Sequence, residues 1–216
     1  APAMSLLRRS LLGAALPAAT VSAAAPPRVR FPSGRDANDR RGMPLEELFV
    51  LALSAAGIEV EIEAVAGMTQ PRRLQELRAE RLDAAYVSSA SASPSDIPVL
   101  RRPLRRGLLG VRLLLTRRAL APALSKVKQV EELRAWRLGY GSGWSDLEAQ
   151  RKLGFPLVVG NTYSGLFRML ASGRFDWMHR GVSEIWEEVD NPSLVTEGLT
   201  VVPGLALFYP LDNFSV

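Results

Sequence analysis

The stretch GLFRMLASGRFDWMHRG, residues 165–181, decides the fold because it repeats the skeleton of LQELRAERLDAAYV, residues 74–87. Placing Asp176 on Asp83 puts Arg174 on Arg81, Phe175 on Leu82, Leu170 on Leu77 and Phe167 on Leu74. Each copy reads as a helix, its stop, and an Asp at the mouth of the next strand. Two copies some ninety residues apart, roughly half a typical domain length, imply a chain built from two similar halves. Asp83 and Asp176 read as structural residues, bonded to nearby backbone or to the neighbouring Arg.

The pattern outside the repeat agrees with two halves. RVRF (28–31) reads as a strand. Pro44 opens a helix in which Leu45, Leu48, Phe49, Ala52 and Ala56 recur at helical spacing, and Gly57 stops it. IEVEIEAV (58–65) alternates as a half-exposed strand does, Pro71 starts a second helix, and DAAYV (83–87) is a third strand. Such β-α-β-α-β alternation implies a parallel sheet covered by helices. After a small-residue loop, residues 108–115 are the longest apolar strand candidate. The alternation then restarts: VEELRAW as a short helix, RLGYG as a strand, a helix over 145–153, PLVVG as a strand, a helix over 164–172, and RFDWMH as a strand. A further helix puts Val182, Ile185, Trp186 and Val189 on one face and Glu184, Glu187 and Glu188 away from it. LTVV and LALFY read as two final strands.

Bulk composition narrows the chemistry. With 216 residues and 47% hydrophobic residues, the chain can build one large core or two small ones. The formal net charge of +5 is poor support for nucleic-acid binding. No cysteine is present, which excludes disulfides, thiolate catalysis and cysteine-bound zinc. His179 is the only histidine, so neither a histidine-rich metal site nor a Ser-His-Asp triad is expected. The first 25 residues read as a removable export leader: Arg8 and Arg9 precede a mildly apolar Ala/Leu run, and Val21-Ser22-Ala23 offers a small-x-small cleavage site. The paired arginines fit a twin-arginine or a general secretory signal.

Several candidate sites can be weighed from the residues alone. GYGSGWSD (139–146) joins a strand to a helix, where glycines let backbone approach a ligand and free amides favour an anion. A tight turn capped by Ser145 explains the same residues. DANDRRG lacks the Gly position and the bidentate Glu of a calcium loop. Arg101, Arg102, Arg105 and Arg106 read as a solvated connector in preference to a nucleic-acid or lipid surface, since no aromatic residues are interleaved. Arg180, at a strand end, suits a carboxylate or phosphate. A pairing with Glu184 one helical turn on is the alternative.

Taken together, LEELFVLALSAAG, RRPLRRGLLGVRLLL, GYGSGWSD, YSGLFRMLASGRFD and RGVSEIWEE resemble, in their order, the type II periplasmic solute-binding proteins, and within them the extracellular solute-binding family 3 group. The resemblance implies an α/β fold of two lobes, each a mostly parallel sheet flanked by helices, joined by a two-strand hinge. It implies a leader over 1–25, lobe 1 over 26–107, lobe 2 over 108–204, and a return strand over 205–216 with the rest of lobe 1 missing. It further implies an exported, periplasmic monomer that binds a small polar solute, amino-acid-like or anionic, without cofactor, metal or nucleic acid, and delivers it to a membrane permease. The ligand-contact positions it points to are Arg40, Ser88, Ser89, Gly143, Trp144, Ser145, Thr162, Tyr163 and Arg180. The chain departs from the family in two places. SSASASPSD has no Arg to clamp an α-carboxylate, and Arg180 stands where an Asp usually meets the amino group. The alternatives are an exported lyase or dehydratase using Glu184 or Asp146, and a sensor's ligand-binding domain.

Overall fold

The computed structural model describes residues 25–32, 43–65, 68–90 and 94–216. Residues 1–24, most of the expected leader over 1–25, and Arg40 lie outside the described residues. No helix among the described residues is long and apolar enough to cross a membrane.

The N-terminal lobe is built from β1 (Arg28–Pro32), α1 (Met43–Ala55), β2 (Glu61–Val65), α2 (Gln70–Arg78) and β3 (Tyr86–Ser88). Pro44 and Pro71 sit in the first turns of α1 and α2, where a missing N–H costs nothing. β1 and β2 pair in parallel from Arg28 opposite Glu61 to Pro32 opposite Val65. β3 pairs antiparallel with β9 (Asn213–Ser215), the last strand of the chain. Asp83 joins the two ribbons. Its amide donates to the Arg30 carbonyl at 3.1 Å, and its carboxylate accepts from the Arg30 amide and guanidinium at 2.8 and 2.9 Å.

The C-terminal lobe repeats that arrangement on a larger scale. It holds β4 (Val111–Arg117), α3 (Ala121–Leu124), β5 (Leu138–Gly141), α4 (Leu147–Lys152), β6 (Leu157–Gly160), α5 (Tyr163–Ala171), β7 (Trp177–Gly181), α6 (Ile185–Val189) and β8 (Leu199–Phe208). The sheet order is β6-β5-β7-β4-β8, with β5, β6 and β7 parallel and β4 antiparallel to both β7 and β8. At the β5–β7 junction Asp176 does for Arg137 what Asp83 does for Arg30. The Asp176 amide donates to the Arg137 carbonyl at 2.9 Å, and its carboxylate accepts from the Arg137 amide, Nε and Nη2. The repeated Asp therefore clips β3 to β1 in one lobe and β7 to β5 in the other. Its partner is an Arg on the neighbouring strand, Arg30 within β1 and Arg137 just before β5, whereas the adjacent Arg81 pairs with Glu76.

Each face of the larger sheet carries its own core. Leu115, Phe167, Leu170, Phe175 and Met178 pack with Ile185 and Leu199 on the α5/α6 side. Leu114, Leu133, Leu138, Tyr140, Phe155 and Trp177 fill the other side, under α3 and a 3-10 turn at Val130–Ala135. That division follows from the period of two in β4 and β7, whose successive side chains point to opposite faces.

Several elements differ from the sequence expectation. The apolar run at 108–115 is a 3-10 turn, Leu108–Gly110, followed by β4, because Gly107 takes a left-handed φ of 83° and breaks the strand. VEELRAW contains a 3-10 turn in place of an α-helix. The final two strands are one, β8, whose register to β4 shifts between Leu113 and Leu115 at Pro203-Gly204. Proline is tolerated there because β8 is an edge strand and a bulge needs no ladder donor. α6 is only five residues long, and Trp186, expected on its apolar face, is 56% exposed. Glu188, expected on the polar face, is buried.

Two segments cross between the lobes, one leading into β4 and one leaving β8. They touch: the Tyr209 amide donates to the Gly110 carbonyl at 3.2 Å, and a Cβ on Gly110 would lie 2.1 Å from the Tyr209 carbonyl oxygen. Asp212, buried on the return segment, accepts from the amides of Arg105, Gly107 and Asn213. One carboxylate thus fastens both crossing segments.

Candidate functional site

In a sheet of parallel strands, ligands meet the carboxyl ends of the strands. In the first lobe that end is Ser88 and Ser89. The buried Ser88 amide donates to Gln70 Oε1 at 2.9 Å, and Ser88 Oγ accepts from the Ala90 amide at 3.2 Å. Ser89 exchanges two 2.8 Å bonds with Asp212: its amide donates to the Asp212 carbonyl, and its Oγ accepts from the Asp212 amide. Both serines therefore stand at the crossing point of the lobes.

The matching end of the second lobe holds residues 141–146, the start of α5, and Arg180-Gly181. A Cβ on Gly141 would meet the Trp144 ring at 2.7 Å, so the glycine lets the indole fold back over the strand end. Trp144 lies edge-on to Tyr140 at 4.7 Å and 4.6 Å from the Arg180 guanidinium. Thr162 caps α5 by accepting from the Gly165 amide at 3.2 Å, and Gly143 and Ser145 are half-buried in the turn. Tyr163, the first residue of α5, donates its hydroxyl to Glu188 Oε1 at 2.8 Å.

Arg180 is placed differently from the expectation that it offers an open guanidinium to an anion. Its residue exposure is 1%, and Nε donates to both Glu188 oxygens at 3.0 and 2.8 Å. Nη2 reaches Glu188 Oε1 and Glu184 Oε2. Burial works against its charge, but Glu188 and Glu184 outweigh burial and raise its pKa. The pairing with Glu184 is real and is a buried network, not an exposed helical pair. Glu184 also faces Arg112 at 4.0 Å and Arg105 at 3.9 Å and accepts from the Gly181 amide, so three guanidiniums share two carboxylates.

The turn at 143–146 is likewise not an open anion seat. α4 begins at Leu147 and spans six residues, and the residue before it, Asp146, is buried and carries its own negative charge. Tyr209 on the return segment donates its hydroxyl to Asp146 at 2.7 Å, tying this turn to the crossing. Burial and nearby Asp146 raise the Tyr140 hydroxyl well above its usual range. His179 lies under the same turn, its Nδ1 accepting from Arg112 Nε at 3.1 Å. Burial first, then Arg112 and Arg180, push the imidazole well below its ordinary pKa, so it is neutral. His179 is structural, as its position in an all-buried strand requires. Among the described residues no group of His, Cys, Asp or Glu could hold a metal ion.

Sequence reasoning missed Glu188, Asp212, Gln70 and Arg73. Glu188 had a signal: an Arg within an apolar strand needs a carboxylate, and the next helix supplied two. Asp212 had none, because the segment it fastens, through the Arg105 and Gly107 amides, is more than a hundred residues away.

No family model matches the chain, and no curated protein matches it. Solved structures do match, at low identity. The periplasmic VFT2 domain of BvgS from Bordetella pertussis is 16% identical with a TM-score of 0.61, over 88% of this chain and 80% of that one. The GluR0 ligand-binding core in complex with L-glutamate is 12% identical with a TM-score of 0.62, over 90% and 85%. A histidine kinase sensor domain with similarity to periplasmic binding proteins is 17% identical with a TM-score of 0.53, over 87% and 81%. The chain thus has the two-lobed α/β fold of periplasmic-binding-protein-like domains.

Proposed function

We propose that the protein captures a small polar solute between its two lobes and performs no chemistry on it. The observation that carries this reading is the meeting of both sets of strand ends at one pair of crossing segments, held by Asp212 and by Tyr209 on Asp146. Such an arrangement lets each lobe move as a body about a short hinge and close on a bridging ligand. The contact surfaces we assign are Ser88 and Ser89 from the first lobe, and Gly143, Trp144, Ser145, Thr162 and Tyr163 from the second. Arg40 completes the set from the first loop. Arg180 serves it from beneath, bracing Trp144 and, through Glu188, Tyr163. The acids suggested for an enzyme are otherwise engaged, Glu184 by three guanidiniums and Asp146 by Tyr209.

Similarity to an L-glutamate-bound core supports an amino-acid-like solute. Similarity to a periplasmic domain supports the periplasm as the location, and so does the leader-like character of the first 25 residues. Delivery to a membrane permease is the use we assign. A sensor's ligand-binding domain is the second reading, favoured by the match to a histidine kinase sensor domain. Thermal denaturation against amino acids, dicarboxylates and phosphorylated metabolites tests the capture step. A solute at a hundred times its Kd adds about 2.7 kcal/mol, which raises the midpoint by roughly 5–11 °C for a chain of this size. A panel in which no solute raises the midpoint contradicts the proposal.

A further inference from the structure

Three arginines are buried among the described residues: Arg73, Arg112 and Arg180. Arg112 and Arg180 face carboxylates of Glu184 and Glu188. Arg73, on α2, faces none among the described residues. Its residue exposure is 8%, its Nε is buried without a hydrogen-bond partner, and its guanidinium lies 4.1 Å over the Tyr86 ring. The nearest acid on its own helix, Glu76, is committed to Arg72 and Arg81. A buried cation that lacks an anion is costly, and an aromatic face offsets only part of that cost.

Its surroundings suit an anion from outside the chain. α2 is nine residues long, and its cap residue Thr69 makes no side-chain bond to the first turn. Long side chains lean back toward the N-terminus of their helix, so Arg73 and the uncapped amides of that turn act on the same region. Gln70, in that turn, already holds the Ser88 amide at the carboxyl end of β3. The cation therefore sits beside the strand end that the capture reading assigns to ligand contact. The second lobe offers no equivalent, because its two buried arginines, Arg112 and Arg180, face Glu184 and Glu188 and its turn carries Asp146.

We infer that Arg73, with the first turn of α2, anchors a carboxylate or phosphate group of the captured solute in the first lobe, an inference that rests on the capture reading. The anion supplies the counter-charge that no described residue gives Arg73. The loop after β3, SSASASPSD, contains no arginine, and α2 supplies the cation in its place.

The test is calorimetric titration of the full chain with L-glutamate, succinate and glycerol 3-phosphate, and with succinamide and glycerol as neutral counterparts that carry no carboxylate or phosphate. An anionic probe should bind and its neutral counterpart should not, with the carboxylate and phosphate arms telling which anion is used. Arg73→Met, which keeps the packing on Tyr86, should weaken the binding probe on the order of a hundredfold. Arg73→Lys should fall between the two. The unliganded melting midpoint of Arg73→Met should equal or exceed that of the parent, since an unpaired buried charge has been removed. Parent-like affinity in Arg73→Met, or a wild-type protein that binds only the neutral probes, overturns the inference while leaving capture standing. A wild-type protein that binds no solute of any charge overturns both.

Discussion

Replacing Glu188 by alanine perturbs a buried cluster of three arginines and two glutamates. The side chains of Arg180 and Glu188 are 2% and 4% exposed, and Glu188 also accepts the Tyr163 hydroxyl. Without it, Arg180, Arg112 and Arg105 are left to share Glu184, whose contacts to the last two are already 4.0 and 3.9 Å long. Removing one partner of a buried ion pair costs about 3–5 kcal/mol, because the remaining charge is stranded. At roughly 2–4 °C per kcal/mol, the midpoint falls by about 6–20 °C. Urea titration followed by tryptophan fluorescence reports on the same region, since Trp144 lies over Arg180. The double variant Arg180→Met/Glu188→Leu should recover most of the loss, since neither charge is then stranded. A loss below about 1 kcal/mol in Glu188→Ala is the size expected of an exposed pair and would refute the reasoning.

The two strand clips should differ in strength. Asp83 is held down to about 2 by the Arg30 guanidinium and amide, but the pair is over a third exposed, so Asp83→Ala should cost less than about 1 kcal/mol. Asp176 is less exposed and also meets Arg117, so Asp176→Ala should cost about 2–3 kcal/mol. Equal losses in chemical denaturation would count against the geometry. For Asp83 the folded pKa is depressed, so its share of stability is present above about pH 4 and disappears as pH falls toward 2. His179 acts nearer neutrality. Its folded pKa is also depressed, so the unfolded chain takes up a proton below about 6.5 that the folded chain refuses, and stability declines as pH falls from there. His179→Gln should flatten that decline between about pH 6.5 and 5, and an unchanged slope argues that another group is responsible. Gly139→Ala puts a Cβ 2.1 Å from the Phe175 ring where the side chain crosses β5, and should cost about 3 kcal/mol or more in the same denaturation assay. A variant within experimental error of the parent would show that Phe175 moves aside freely.

The parts of the fold legible in sequence are those fixed by local rules. The helix–Asp–strand phrase was visible because a helix stop and an Asp recur shortly ahead of a strand in both lobes, three residues before β3 and one before β7. Its partners were not, because Arg30 and Arg137 lie 53 and 39 residues away. Glu188 looked like a solvated face because charge at helical spacing usually is one. Glu188 is buried as the counter-ion of Arg180, so α6 keeps Ile185 and Val189 in the core but leaves Trp186 outside. Pro203-Gly204 looked like a break between strands because proline removes a ladder donor, which matters little at an edge. The turn at 141–146 was recognised as a place where backbone and ligand can meet. That its own Asp146 and Tyr209 already occupy its polar side depends on the return segment, which no local pattern announces.

Small-angle scattering of the protein with and without its best solute from the thermal panel tests the central claim most directly. Lobes that close about the Asp212 crossing give a smaller radius of gyration and a narrower pair-distance distribution at saturating solute. Scattering curves that superimpose at saturation would contradict capture by closure.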